Sequence, residues 1–333
     1  INGLKEDRKA LFMGDMLRSL FFIVVAAGVL WFAITKKLNE LLVIAIIGVF
    51  AFVDIIVIDT KYLSSDNFQD KEENEVGFKQ TPADTYILQD KSDYRIFDVS
   101  NGPQAAINYG AKSAYFHKSI GGYHPAKLSI YQDLAEHQLY KYPNCQPVLN
   151  MLNTKYIIHS PDRADQVEPK PNACGSVWLI KGLQKVNSPN EEMDALTTLN
   201  VKDTAVIQKS FESIANTNFK FDSTSKIELV KNENDIVTYK SNTKSQQFAV
   251  FSEVYYNKGW NAYIDGQLTP YAKVNYVLRG MPVPSGQHEI VFKFEPKTHI
   301  LGWTLSGIGN WLMLVLLALA AFTQWKNYKK TEA

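Results

Sequence analysis

Residues 41–58 read LLVIAIIGVFAFVDIIVI, and residues 17–34 read LRSLFFIVVAAGVLWFAI. A third run, ILGWTLSGIGNWLMLVLLALAAFTQW, covers 300–325. Each is about the length a helix needs to cross a bilayer, roughly 20 residues. Lipid offers the backbone no hydrogen-bond partner, so segments of this kind span as helices. Spans are therefore expected over 17–34, 41–58 and 298–325. Between the second and third lies a long polar segment, Asp59 to Lys297, of ordinary globular composition. The fold class that follows is a membrane protein with three transmembrane helices and a large water-facing insert.

The bulk numbers conceal this, because the insert dominates a mean hydropathy of -0.18. A net charge of +1 gives no polybasic field and no indication of nucleic acid. No short apolar run with a small-residue cleavage site precedes the first span, so no cleavable signal peptide is expected. The chain starts at Ile1, and three spans form a poor bundle alone. The expectation is the C-terminal part of a longer protein whose further transmembrane helices are partners of these three.

Lys and Arg near the spans set the orientation. The turn at 35–40 carries Lys36 and Lys37, and the tail at 326–333 carries Lys326, Lys329 and Lys330. An even number of crossings separates these two short basic segments, so both are read as cytoplasmic. Residues 1–16 and the whole insert are then extracytoplasmic. Cys145 and Cys174 both fall in the insert, where an oxidising compartment permits a disulfide. Two buried free thiols are the other reading.

Along the insert, 59–84 is polar and acidic and reads as a linker. Residues 85–225 read as an α+β domain: strands at 94–99, 156–158 and 176–180, helical periodicity over 125–139, and a short helix at 148–152. Residues 101–122 look like loop. Ser188-Pro189-Asn190-Glu191 has the pattern of a capping box opening a helix to about Leu199. From Lys226 the signal is all-β, with a tight turn at Asp265-Gly266 and about seven short strands. A β-sandwich is expected over 226–297, with Trp260 and the Ile290/Phe292/Phe294 face buried.

Chemistry concentrates in few places. Asp54 is the only acid inside the predicted spans, about 6 Å from the end at Ile58 by the helical rise. An intramembrane carboxylate is a functional candidate, and an interfacial side chain reaching water is the plain alternative. Arg18, one turn after Asp15, is suited to a lipid phosphate or to an ordinary ion pair. The segment from His117 to Pro125 is dense in polar, glycine and aromatic residues. Gly121 and Gly122 permit positive φ and close backbone approach. Tyr123, His124 and Lys127 complete a substrate-binding candidate, while a tight loop leading into the next helix is the structural alternative. His117 and His124 are a weak metal pair without a third ligand nearby. Trp260, Tyr255, Tyr256, Tyr263, Tyr271 and Tyr276 suit sugar stacking or sheet packing. No metal site, soluble cofactor motif or nucleophile elbow is evident.

Several stretches together resemble one family. They are Asp93–Asp98 (DYRIFD), Ser119–Leu128 (SIGGYHPAKL), Leu149–Ile158 (LNMLNTKYII) and Phe251–Tyr256 (FSEVYY). Gly259–Gly266 (GWNAYIDG), Val274–Arg279 (VNYVLR) and Pro284–Ile290 (PSGQHEI) follow. The chain resembles the C-terminal portion of the YfhO family of bacterial membrane proteins, and departs from it around Ala173–Trp178. The resemblance implies a glycosyltransferase C-superfamily-like protein using a polyprenyl-phosphate-sugar donor and acting on a cell-envelope glycan. In such proteins the catalytic acid lies in an early extracytoplasmic loop, so no residue here inherits that role. This segment would supply the last spans and an outer domain over the acceptor. A non-enzymatic envelope protein binding a polymer or protein partner is the competing reading, since a fold does not fix an activity.

Overall fold

The structure, a computed structural model, describes residues 2–36, 39–76, 78–215 and 218–331. Lys37 and Leu38 of the basic turn lie outside the described residues. The chain divides into two units, 1–79 and 80–333, each taken by itself below.

The first unit is a helical pair, α1 (Asn2–Lys36) and α2 (Glu40–Tyr62), followed by the short α3 (Lys71–Val76). Both long helices continue past the apolar runs. Residues 2–16 are helical rather than a separate segment, because Leu11, Phe12, Met13 and Met16 extend the apolar run and no proline interrupts it. Helix α2 likewise continues to Tyr62, and the Thr60 hydroxyl returns to the Ile56 carbonyl at 2.9 Å. Asn39 caps its start by accepting from the Leu41 N–H. The pair packs through Phe22 and Phe50, whose ring centroids are 6.1 Å apart. Three helices of the described chain are long and apolar enough to cross a membrane: 5–35, 40–67 and 297–323 in their extended spans.

The second unit opens with α4 (Pro82–Ile87), whose capping box joins Thr81 and Asp84. Then come β1 (Arg95–Asp98), α5 (Pro103–Asn108), α6 (Ser129–His137), α7 (Gln146–Met151), β2 (Thr154–Ile158) and β3 (Val167–Pro169). Strands β1 and β2 are parallel and β3 is antiparallel, forming a three-stranded sheet. Residues 101–122, read as loop, contain α5 and a 3-10 turn at Lys112–Tyr115. Pro103 sits in the first turn of α5, where its missing N–H has no helical partner to lose. Helix α6 begins at Ser129 rather than near Pro125.

The chain continues through β4 (Val177–Leu179), β5 (Gly182–Val186), α8 (Pro189–Ala195), β6 (Thr204–Gln208) and α9 (Glu212–Ala215). Ser188 caps α8 by accepting from the Glu191 N–H, but Glu191 reaches back to the Asn187 N–H at 2.8 Å. The helix stops at Ala195. Strands β7 (Lys226–Asn232), β8 (Ile236–Thr243), β9 (Gln247–Val254), β10 (Trp260–Ile264), β11 (Gln267–Thr269), β12 (Ala272–Val274), β13 (Leu278–Val283) and β14 (Gly286–Phe294) follow, then α10 (Lys297–Thr331). Asp265 and Gly266 both have positive φ, +49° and +80°, as the two-residue turn between β10 and β11 requires.

These strands form two sheets, ordered β11-β10-β14-β8-β7 and β4-β9-β13-β12-β6-β5. The second sheet draws β4, β5 and β6 from before residue 226. One apolar cluster combines Val237, Tyr239, Ile290 and Phe292 of the first sheet with Ala249, Phe251, Met281 and Val283 of the second. A larger core runs from Phe97 through Leu149 and Trp178 to Leu278, so the two halves of the insert share it. Ile290 and Phe292 are buried, whereas Phe294 at the strand end is 37% exposed and packs on the half-buried Trp260. Arg279 is buried with its guanidinium 4.3 Å from the Trp260 ring centroid, and its Nε donates to the Val254 carbonyl. Cys145 and Cys174 are free thiols, and burial pushes their pKa values up to about 11 and about 12. That makes them poor nucleophiles.

Candidate functional site

The loop after the 3-10 turn is built onto β1. The Ile96 N–H donates to the Lys118 carbonyl at 2.9 Å, and Ile120 donates to the Ile96 carbonyl at 3.0 Å. Ser119 thus extends β1 by one parallel bridge. The chain then turns against the end of α5: the Gly122 N–H donates to the Ala106 carbonyl at 2.7 Å. Gly122 has φ +119°. A Cβ on Gly121 would stand 2.5 Å from that same carbonyl oxygen, so only glycine fits.

This loop walls a cleft of about 320 Å³. Gly121, Gly122, His124 and Lys127 line it together with Ser119. The remaining walls are mostly apolar: Ile107, Ile120, Leu128, Leu152 and Val254. Lys127 is half-buried and already donates to the Ile107 carbonyl at 3.0 Å and to Gln132 Oε1 at 3.2 Å. An ammonium has three protons, so one remains for a ligand. His124 is exposed, and its Nδ1 accepts from the Ala126 N–H at 3.1 Å. In the neutral ring the proton therefore sits on Nε2, which is a donor. Tyr131 donates to the Ile120 carbonyl at 2.5 Å, and burial pushes its hydroxyl pKa far up, so this strut persists at any ordinary pH.

Arg95, Tyr131, Leu152, Ser252 and Val254 were not among the sequence candidates. Arg95 Nη1 donates to the Leu152 carbonyl at 3.1 Å and to Ser252 Oγ at 2.8 Å, and Nη2 pairs with Glu253 Oε1 at 2.8 Å. The guanidinium thus ties the β1 strand to the end of α7 and to β9, and Arg95 lines the cleft. Its only sequence signal is a cation within an apolar strand. Its partners lie more than fifty positions away in sequence.

The other candidates fall elsewhere. Tyr123 does not line the cleft and is 64% exposed on the adjoining surface. His117 is buried, with Nε2 2.9 Å from Asp84 Oδ1, and so anchors the loop to the cap of α4. Arg18 and Asp54 belong to the helical pair. Arg18 Nε lies 3.0 Å from Asp54 Oδ1, an ion pair without good hydrogen-bond alignment. Arg18 also lies 3.4 Å from Asp15, which in turn pairs with Lys61 at 3.0 Å. Helix α2 continues about 12 Å beyond Asp54 at the helical rise. Among the described residues, no group of three or more His, Cys, Asp or Glu is arranged to hold a metal ion.

The tyrosines around the sheets are largely packing residues. Tyr255 lies against Tyr271 and Phe211, and Tyr271 against Phe292. Tyr263 donates to Glu295, and Tyr276 to Asp133.

Residues 196–306, about a third of the chain, match the family described as bacterial membrane protein YfhO. The resemblance read from the motifs holds over this stretch. It takes in FSEVYY, GWNAYIDG, VNYVLR and PSGQHEI, and leaves the cleft loop outside it. No curated protein and no solved structure matches the chain.

Proposed function

We propose that this chain acts in a membrane-embedded, glycosyltransferase-like protein that moves sugar from a polyprenyl-phosphate donor to a glycan or polymer of the bacterial cell envelope. Its globular part, read as an α+β region with a β-sandwich, is the outer domain and faces away from the cytoplasm. The cleft beside Ser119–Lys127 takes the sugar-phosphate end of the lipid-linked donor. The observation that carries this reading is the composition of the cleft walls. An apolar trough of Ile107, Ile120, Leu128, Leu152 and Val254 ends at Lys127 and His124, which still have donors to give. An apolar trough closed by a few placed donors suits an amphiphile with an anionic or hydroxylated end.

One observation favours a second reading. No carboxylate lines the cleft, and His124, its one imidazole, already accepts at Nδ1 from the Ala126 N–H, so the usual candidates for a general base there are absent or engaged. On this reading the cleft only holds a ligand, and the protein is a non-enzymatic envelope binder.

Transfer of labelled sugar from a polyprenyl-phosphate donor, measured in membranes carrying the intact protein, separates the two. Transfer that drops at least tenfold in His124→Ala and Lys127→Ala, with folded yield unchanged, supports the transferase. Unchanged transfer in both variants removes the cleft from the mechanism. Ligand capture without any transfer supports the binder.

A further inference from the structure

A second, more open groove of about 620 Å³ adjoins the cleft and shares His124 and Lys127 with it. Two tyrosines line it. Tyr109 is 81% exposed and Tyr123 is 64% exposed. Neither ring has a hydrogen-bond or ring partner among the described residues. A large aromatic held in water by a well-made loop loses the burial that normally justifies its presence.

The two rings are brought to one groove by a specific backbone device. Tyr109 follows α5 directly, and Tyr123 follows the glycine pair. The Gly122-to-Ala106 hydrogen bond, and the approach of Gly121 that no Cβ would permit, pin these two segments together. The groove surface is more apolar than polar, as two bare rings imply, and polar side chains are set around them. Asn108, Gln132 and Asp133 supply amide and carboxylate groups, and the charges of Asp133 and Lys127 oppose one another. Asn108 uses its Nδ2 on Tyr140 at 3.0 Å, and Asp133 uses Oδ2 on the Tyr276 hydroxyl at 3.0 Å. Asn108 Oδ1 and Asp133 Oδ1 are left as acceptors.

We propose that this groove binds a chain of uncharged sugar residues, with the rings of Tyr109 and Tyr123 stacked on pyranose faces and the oxygens of Asn108 and Asp133 accepting from sugar hydroxyls. Pyranose rings present an apolar C–H face and an equatorial rim of hydroxyls, and exposed aromatics flanked by fixed acceptors complement both. A polyanion finds no net positive charge here. An apolar helix would bury the acceptors of Asn108 and Asp133 unpaired. This inference goes beyond the transfer reading and does not depend on it.

The test uses the full chain in detergent and saturation-transfer NMR with maltohexaose, cellohexaose and laminarihexaose, and with polygalacturonate as the anionic comparison. At least one neutral hexasaccharide should bind. Tyr109→Ala and Tyr123→Ala should each weaken that binding about fivefold or more, as the loss of one stacked ring implies. Tyr109→Phe and Tyr123→Phe should stay within about twofold, because the ring face remains. Both tyrosines are exposed, so melting temperatures should not move. Binding of none of the three hexasaccharides at millimolar concentration, preference for polygalacturonate, or alanine variants that bind like the parent would each overturn the proposal. If His124→Ala and Lys127→Ala abolish sugar transfer while the tyrosine variants bind normally, the groove fails and the transferase reading stands. The reverse pattern removes the transferase reading and keeps the groove.

Discussion

The backbone N–H of Gly122 donates to the carbonyl of Ala106 at 2.7 Å, and that contact organises both recesses of the globular unit. On one side it positions His124 and Lys127 over an apolar cleft; on the other it brings Tyr123 to the groove that Tyr109 lines. The glycine pair is therefore a device for close backbone approach, and the chemistry hangs on what flanks it.

A methyl group on Gly121 has nowhere to go, because its neighbour is backbone rather than a flexible side chain. Gly121→Ala should cost about 1–3 kcal/mol, the usual range for forced backbone strain. It should also raise hydrogen exchange at Gly122, since the bond to Ala106 is the first to yield. Urea denaturation and exchange of the detergent-solubilised chain would register both. A variant of parental stability with a protected Gly122 amide would show that the loop is not held this way.

Glu192 of α8 is fully buried and holds the β12–β13 turn. Its Oε1 accepts from the Tyr276 N–H at 2.8 Å; its Oε2 accepts from Gln208 at 2.6 Å and Lys273 at 3.2 Å. Asn275 and Tyr276 both have positive φ, +49° and +68°, so the turn is strained without that anchor. Glu192→Ala should cost about 3–5 kcal/mol, the penalty of stranding a buried partner. Glu192→Gln, which keeps one oxygen acceptor, should cost less. Equal losses in the two variants would mean that packing rather than hydrogen bonding is responsible.

His288 bridges Asp265 Oδ2 at 2.6 Å and the Ser285 carbonyl at 3.0 Å, a geometry that uses both ring N–H groups of the imidazolium. The Asp265 hydrogen bond and the Ser285 carbonyl raise its pKa, and the same contact lowers that of Asp265. A raised histidine value means the contribution is complete below the unfolded value, about 6.5, and fades as pH rises through the folded value. A lowered carboxylate value means its contribution is present above the unfolded range and is lost as pH falls through the folded one. The melting-temperature difference between the parent and His288→Gln should therefore be largest near about pH 5–6 and shrink toward about pH 9. A difference that grows with pH would contradict the charged bridge.

The orientation expected from the short basic segments is one that impermeant thiol labelling reads directly. In a Cys174→Ser background, an Asp162→Cys variant places a thiol at an exposed position of the insert. It should label in intact cells, while Lys329→Cys should label only after lysis. Labelling at 329 but not at 162 in intact cells would reverse the topology.

The three long apolar helices were legible because length and apolarity are properties of a contiguous run, and a run of that kind has no alternative to a helix in lipid. The Asp265-Gly266 turn, the Ser188 cap and the glycine pair were legible for the same reason: each is decided by φ preferences or hydrogen bonds within a few residues. Helix α5 was equally local, signalled by Pro103 followed by Gln-Ala-Ala, yet the glycines around it obscured it. What only the tertiary structure decided is long-range pairing. Strands β4 and β6 join β9 and β12 across the residue where composition changes. Arg95 reaches Ser252 and Glu253, and Arg18 meets Asp54. Phe294 alternates in register with Ile290 and Phe292 but ends half in solvent, because it is the last residue of its strand. A side chain's partner across a sheet or between helices depends on register and topology, which no local pattern of φ or hydrophobicity encodes.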